Sequence, residues 1–210
     1  EIHERLVGSE MCIRDRNMSD QDEAKFRMIE YHKWKFKAKI FSPLAPLTVK
    51  RTPVLMTRVE YGFLGSYNKY KKSPFETFYM GGDGMSGYSS TYATETIGLR
   101  GYENGSIAGN GGYNSYGYAY SRLSMELRYP FLLEPSSTIY GLVFVEAGNA
   151  WRDLKDFNPF QLKRSAGVGV RIFLPMIGLM GIDWAYGFDR PDGYDQRGGS
   201  NFHFLSLIHI

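Results

Sequence analysis

The sequence predicts an all-β chain: an antiparallel transmembrane β-barrel. Three observations carry this. Apolar and polar residues alternate with period two over most of the chain, as in strands with two unlike faces. The alternating runs are about ten residues long, the length of a tilted membrane-spanning strand, whereas strands of soluble proteins average about five or six. The connections are unequal. "PSS" (135–137) and "PMIG" (175–178) are tight, while residues 81 to 115 and 152 to 163 are long. Short turns at one end and long loops at the other are the pattern of an outer-membrane barrel.

The elements follow in order. "MSDQDEAKF" (18–26) is polar and reads as a loop. "YHKWKFKAKIF" (31–41) sorts Trp34, Phe36, Ala38 and Ile40 to one face and Lys33, Lys35, Lys37 and Lys39 to the other, which no helix would do. "VLMTRVEYGF" (54–63) sets Leu55, Val59, Tyr61 and Phe63 against Arg58 and Glu60. A short apolar piece, "FETFYM" (75–80), leads into a Gly-rich loop. "YGYAYSRLSMELRYPF" (116–131) opposes Leu123, Met125, Leu127, Tyr129 and Phe131 to Arg122, Ser124, Glu126 and Arg128. "TIYGLVFVEAGNAW" (138–151) is apolar on both faces except for Glu146. "RSAGVGVRIFLP" (164–175) alternates Ala166, Val168, Val170, Ile172 and Leu174 with Ser165, Gly167, Gly169 and Arg171. "LMGIDWAYGF" (179–188) sets Met180, Ile182, Trp184, Tyr186 and Phe188 against Gly181, Asp183 and Gly187, and "NFHF" (201–204) begins one more strand. Aromatics at strand ends (Tyr129, Phe131, Trp151 and Phe188) suggest interfacial girdles.

Both ends read as foreign. Arg5 to Asp15, "RLVGSEMCIRD", back-translates to a sequencing adapter that ends in a transposon end. Leu205 to Ile210, "LSLIHI", back-translates to the reverse strand of that same end. Residues 1–16 and 205–210 are therefore expected to be adapter-derived, with 17–204 native. The single cysteine, Cys12, falls in the excluded part, so the native segment offers no disulfide, thiol nucleophile or Cys metal site. Tyr, Phe and Gly are abundant, yet mean hydropathy is slightly negative. That composition suits a soluble all-β domain, and equally a barrel whose apolar residues are diluted by a polar lumen. The net charge of +3, with acids and bases interspersed, is too weak a footprint for nucleic acid.

Catalytic readings are weak. His32 and His203 have no ligand-spacing partner, and each reads as solvated or lumen-facing. Ser124 and Ser165 lack a nucleophile-elbow setting. "GGDG" (81–84) and "GNGG" (109–112) lack the strand–loop–helix context of a phosphate cradle. In "DRPDGYDQ" (189–196) the aspartates Asp189, Asp192 and Asp195 step by three, which fits a polar hairpin turn better than a calcium loop. No enzyme activity, cofactor or metal is expected.

One charge constellation remains. Arg100 stands between Gly98 and Gly101 in "ETIGLRGYENGSIAG" (95–109). Glu126 and Glu146 lie mid-strand on the next two strands, where a carboxylate facing lipid would be expensive, so both should face the lumen. A planar guanidinium suits carboxylate capture, so the loop could fold back and pin Arg100 to either acid or to both. From spacing alone a solvated arginine and two unrelated lumen acids is the favoured reading.

The motifs themselves resemble a family. "GLRGYENG" is similar to the hydrophobic-Arg-Gly-aromatic loop motif of the BamA-like outer-membrane assembly family (bacterial surface antigens), with "SPFETFYMGGDG" as its lead-in. "RLSMELRYPF", "LVFVEAGNAW", "SAGVGVRIFLP", "IGLMGIDWAYGF" and "NFHF" resemble its last strands, in order. The resemblance runs from about Tyr31 to Phe204. It implies a sixteen-stranded barrel in the outer membrane of a Gram-negative bacterium, preceded by periplasmic domains, of which this chain holds the C-terminal half: about seven to eight strands and a long in-folded loop. It implies a function too, folding and inserting other β-barrel proteins. Unfolded barrel clients, outer-membrane lipids and accessory lipoproteins would be its partners. Carried over residue by residue, it makes Arg100, Gly101 and Tyr102 the loop part of a latch and Glu126 and Glu146 its acids. The last strand departs from the family pattern after Phe204, so this segment alone is expected neither to close a barrel nor to insert clients. Relatives that secrete a partner protein or assemble autotransporters share the loop motif. A soluble aromatic-rich β domain binding glycans is the rival of another class.

Overall fold

A computed structural model describes residues 3–7, 30–46, 51–67, 72–73, 76–84, 95–107, 116–134, 137–175, 178–191, 193 and 195–207. The segments 18–26 and 109–112 discussed above lie outside them. The strands are β1 (His3–Val7), β2 (Tyr31–Pro43), β3 (Val54–Ser66), β4 (Phe78–Met80), β5 (Glu95–Ile97), β6 (Ala119–Glu134), β7 (Ser137–Trp151), β8 (Lys163–Leu174), β9 (Gly178–Gly187) and β10 (Gly199–Leu207). Among the described residues the only helical piece is a 3₁₀ turn, Leu154–Asp156.

Eight strands make one open sheet in the order β1-β2-β3-β6-β7-β8-β9-β10, every pairing antiparallel. Each strand of the main run pairs with its neighbour in sequence; the excursion between β3 and β6 carries the short parallel pair β4–β5. β1 lies in the segment read from sequence as adapter-derived and pairs with Lys35–Lys39 of β2. At one end of the sheet only a few residues of sequence separate β6 from β7 and β8 from β9; β3, β7 and β9 all end at the other. In β6 the register shifts between Pro130 and Leu132. Proline has no N–H for the ladder, and a bulge is where a strand tolerates it.

Register turns the alternation into two coherent faces. Leu55, Leu127, Val143, Val168, Trp184 and Phe202 stand in one row across six strands. The outer face is exposed: Trp34 is 55% and Val143 55% accessible, and Leu127, Val168, Trp184 and Phe202 are exposed with them. The inner face is the reverse. Glu60, Arg122, Glu126, Glu146, Arg171, Asp183 and His203 are all buried. Charge inside and apolar groups outside is the arrangement of a barrel in lipid, since a soluble fold buries the opposite set. Tyr129, Phe131 and Phe188 are exposed at strand ends, as a girdle requires. Trp151 corrects that expectation. It is only 6% exposed, because the loop after β7 folds Phe157 edge-on against it at 4.7 Å.

The Gly-rich excursion lies on the inner face. Phe78, Met80, Ile97, Leu99, Tyr102 and Ile107 of the loop form one apolar cluster with Leu64, Tyr120 and Ala150 of the strands. Bridges Phe78↔Gly117 and Gly82↔Leu99 fasten its lead-in and return. Glu95 meets Lys33, Lys35 and Lys37 of β2. Three of the four lysines on that face of β2 thus meet a loop carboxylate.

Candidate functional site

The loop delivers Arg100 to the middle of the inner face, where it is 5% exposed. Its Nη2 donates to Glu126 Oε1 at 2.5 Å and to Glu146 Oε1 at 2.7 Å. Its Nη1 donates to Asp183 Oδ2 at 2.9 Å, and its backbone N–H donates to Glu146 Oε2 at 3.0 Å. The guanidinium carbon lies 3.5 Å from the centre of the Phe144 ring. One side chain is thus held by β6, β7 and β9 together, with an aromatic face beneath it. Burial alone would lower the Arg100 pKa; Glu146 first, then Glu126 and Asp183, reverse this and raise it.

The acids have further partners. Arg122 Nη2 donates to Glu146 at 2.9 Å and its Nη1 to Glu60 at 3.4 Å. Ser124 Oγ donates to Glu146 at 3.0 Å. Arg128 binds Glu126 through Nε at 3.0 Å and Nη2 at 2.7 Å, and Arg171 grips both oxygens of Asp183 at 2.5 Å each. Four guanidiniums (Arg100, Arg122, Arg128, Arg171) therefore bond four carboxylates (Glu60, Glu126, Glu146, Asp183), and the charge of a fifth, Arg58, acts on Glu60, Glu126 and Glu146. Opposite charges with each carboxylate hydrogen-bonded are the condition under which buried ions are tolerable.

Gly101 and Tyr102 complete the seat. Gly101 has φ of +89°, and a Cβ there would come within 2.9 Å of the Gly187 nitrogen, so a side chain is excluded by backbone geometry and by space. Its N–H donates to His203 Nε2 at 2.9 Å. Tyr102 packs over Gly187 and Gly198, where Cβ atoms would meet its ring at 3.1 and 2.7 Å. Its hydroxyl donates to the Arg164 carbonyl at 2.7 Å and accepts from the Asp189 N–H at 3.3 Å.

The structure thus brings Arg100 together with both acids singled out from the sequence, Glu126 and Glu146. It adds Asp183, Arg122, Arg171 and His203, which sequence reasoning did not gather into the site. The signal for Asp183 was available: it is a mid-strand carboxylate on the polar face, the criterion that selected the two glutamates. Ser124 serves as a donor to Glu146, and Asp189 pairs with Arg164 at 3.0 Å. Among the described residues no group of three or more His, Cys, Asp and Glu could hold a metal.

Long antiparallel strands with an apolar outer face, and a loop bound into the charged inner one, define the class: an outer-membrane β-barrel with an internal loop. The family model of the Omp85 superfamily domain matches residues 25–205, and the chain belongs to the Omp85 superfamily, a family of barrels for assembly and secretion that are not enzymes. No curated protein matches. Among solved structures, BamA from Haemophilus ducreyi lacking POTRA domains 1-3 is similar at a TM-score of 0.56 and 22% sequence identity. The match covers 83% of this chain and 34% of that one, so the chain spans about a third of the length of the structure it resembles.

Proposed function

We propose that this chain is the C-terminal part of a barrel that folds and inserts other β-barrel proteins into the outer membrane of a Gram-negative bacterium. Unfolded barrel proteins are its clients, and accessory lipoproteins complete the complex. Within it, Arg100, Gly101, Tyr102, Glu126 and Glu146 form a latch that holds the loop inside. Residues 17–204 are native on this reading, and 1–16 and 205–210 are adapter-derived. The genomic reading frame tests that division: both terminal peptides encoded there would overturn it.

The observation that carries the functional reading is the multiple anchorage of Arg100 on β6, β7 and β9. An assembly barrel must present a strand edge on which incoming strands can pair by main-chain hydrogen bonds. Such an edge is a liability unless the rest of the sheet is held in register. A loop riveted across the last strands supplies that rigidity without covalent chemistry. Lysine replaces the arginine only in part, because an ammonium lacks the planar fork that reaches three carboxylates at once.

The test is made in the full-length parent protein. Arg100→Ala is expected to lower the steady-state level of outer-membrane barrels in the cell, and Arg100→Lys to restore it only in part. An unchanged outer-membrane profile in Arg100→Ala cells overturns the assembly reading. Loss of one secreted partner with an intact profile would instead assign the chain to the secretion branch.

A further inference from the structure

We propose that His203 is an acid-labile tie between edge strand β10 and the internal loop, holding the Gly101 amide only while its ring is neutral. The proposal rests on the reading of the loop as a latch, and adds to it a second fastening of different chemistry. Arg100 anchors the loop to β6, β7 and β9; the bond from the Gly101 N–H to His203 Nε2, at 2.9 Å, reaches the strand beyond them. Among the described residues β10 pairs on one side only, with β9.

An imidazole nitrogen that accepts a hydrogen bond carries no proton, so the geometry assigns the proton to Nδ1. A second proton would place an N–H on Nε2 opposite the N–H of Gly101, and the bond would be lost. His203 is 8% exposed. The charged groups acting on it are Asp83 and Arg100 from the loop, Asp183 from β9 and Glu146 from β7. Asp183 stands directly across from His203 in the ladder, but its oxygens are held by Arg100 and Arg171. Glu146 is likewise taken by Arg100, Arg122 and Ser124. A new positive charge at His203 would thus enter a cluster in which these carboxylates are already matched, beside the Arg100 guanidinium.

The loop cannot absorb the change in place. Gly101 is pressed against the β9–β10 connection so closely that a Cβ on Gly198 would lie 2.6 Å from its carbonyl oxygen. An amide left there without an acceptor would bear the desolvation penalty of a buried unpaired donor, so the loop backbone must lift away from β10. An unperturbed imidazole titrates between about pH 5 and 8, and protonation of the His203 ring in acid loosens the loop from the edge strand and leaves the Arg100 anchorage intact.

The experiment measures exchange of the Gly101 amide in the full-length parent protein in detergent micelles, corrected for the intrinsic pH dependence of exchange. Wild-type protection is expected to fall about tenfold between about pH 8 and pH 5, the equivalent of one hydrogen bond. His203→Gln retains an accepting oxygen and should keep its protection at both pH values. His203→Leu should lack it at both. Constant protection in the wild type, or the same fall in His203→Gln, overturns the proposal even if His203→Leu does not fold. Because the amide and not client insertion is read, these outcomes leave the assembly reading standing.

Discussion

Arg100 shows how much one residue can organise when its partners are already fixed by strands. Glu146 is the centre of that arrangement. It accepts from the Arg100 backbone and side chain, from Arg122 and from Ser124, and its side chain is 0% exposed. Removing one partner of a buried pair costs about 3–5 kcal/mol, because the other charges stay buried. Glu146→Ala should therefore lower the thermal unfolding midpoint of the micelle-bound parent protein far more than Glu134→Ala. Glu134 is exposed at the end of β6, where substitutions fall within about 0.5 kcal/mol. Equal midpoints would show that the cluster contributes nothing to the fold. The glutamates were legible in the sequence because a mid-strand carboxylate has one affordable direction in a membrane barrel. Arg122 and Arg171 were legible as inward-facing but not as partners: period two fixes the face, whereas pairing depends on which rows the register brings level. His203 was invisible as a loop contact because its partner is a backbone amide, which no side-chain pattern reveals.

At the scale of elements, strands and loop differ in what the sequence betrays. The strands announce themselves because lipid and lumen demand opposite residues at alternate positions. The parallel pair β4–β5 does not, because three residues are too few to show a period and its register is set by the apolar cluster around Phe78, Leu99 and Tyr102. Two predictions belong here. Val168 is exposed in the outward row, and arginine on the lipid face near the midplane costs about 2–4 kcal/mol. Val168→Arg should reduce the folded fraction in denaturant titrations in lipid, and a change below about 0.5 kcal/mol would mean that this face does not meet hydrocarbon. The second concerns the loop's seat. Burial pushes the Tyr102 hydroxyl up to about 12. A group whose pKa is raised by folding in this way stabilises the seat below its unfolded value of about 10, and that contribution is lost as pH rises through about 12. The tyrosinate absorbance titration of wild type minus Tyr102→Phe should show one late step near that upper value. A difference step near the ordinary tyrosine value would place the ring in solvent.

For the whole molecule, the deciding feature is that its two faces are inverted relative to a water-soluble β domain. A soluble sandwich would turn Leu127, Val143, Val168, Trp184 and Phe202 inward and leave the arginines and carboxylates in water. Here the apolar row is continuous across the sheet and exposed from Leu127 on β6 to Phe202 on β10, while the loop occupies the inner face that a second sheet would need. No rearrangement of side chains can hide the outer row, because alternation ties its position to that of the buried charges: rotating a strand to bury Val168 would turn Ser165, Gly167 and Arg171 outward and pull Arg171 from Asp183. Contiguous apolar surface on this scale is not carried by soluble monomers. The chain should therefore give a monodisperse species only with detergent or lipid, and should associate through its outer face when these are removed. Light scattering on either side of detergent removal decides the matter. A stable, monodisperse monomer in plain buffer would mean that the outer face is covered in water, and would return the chain to the soluble, glycan-binding class that its aromatic content also allows.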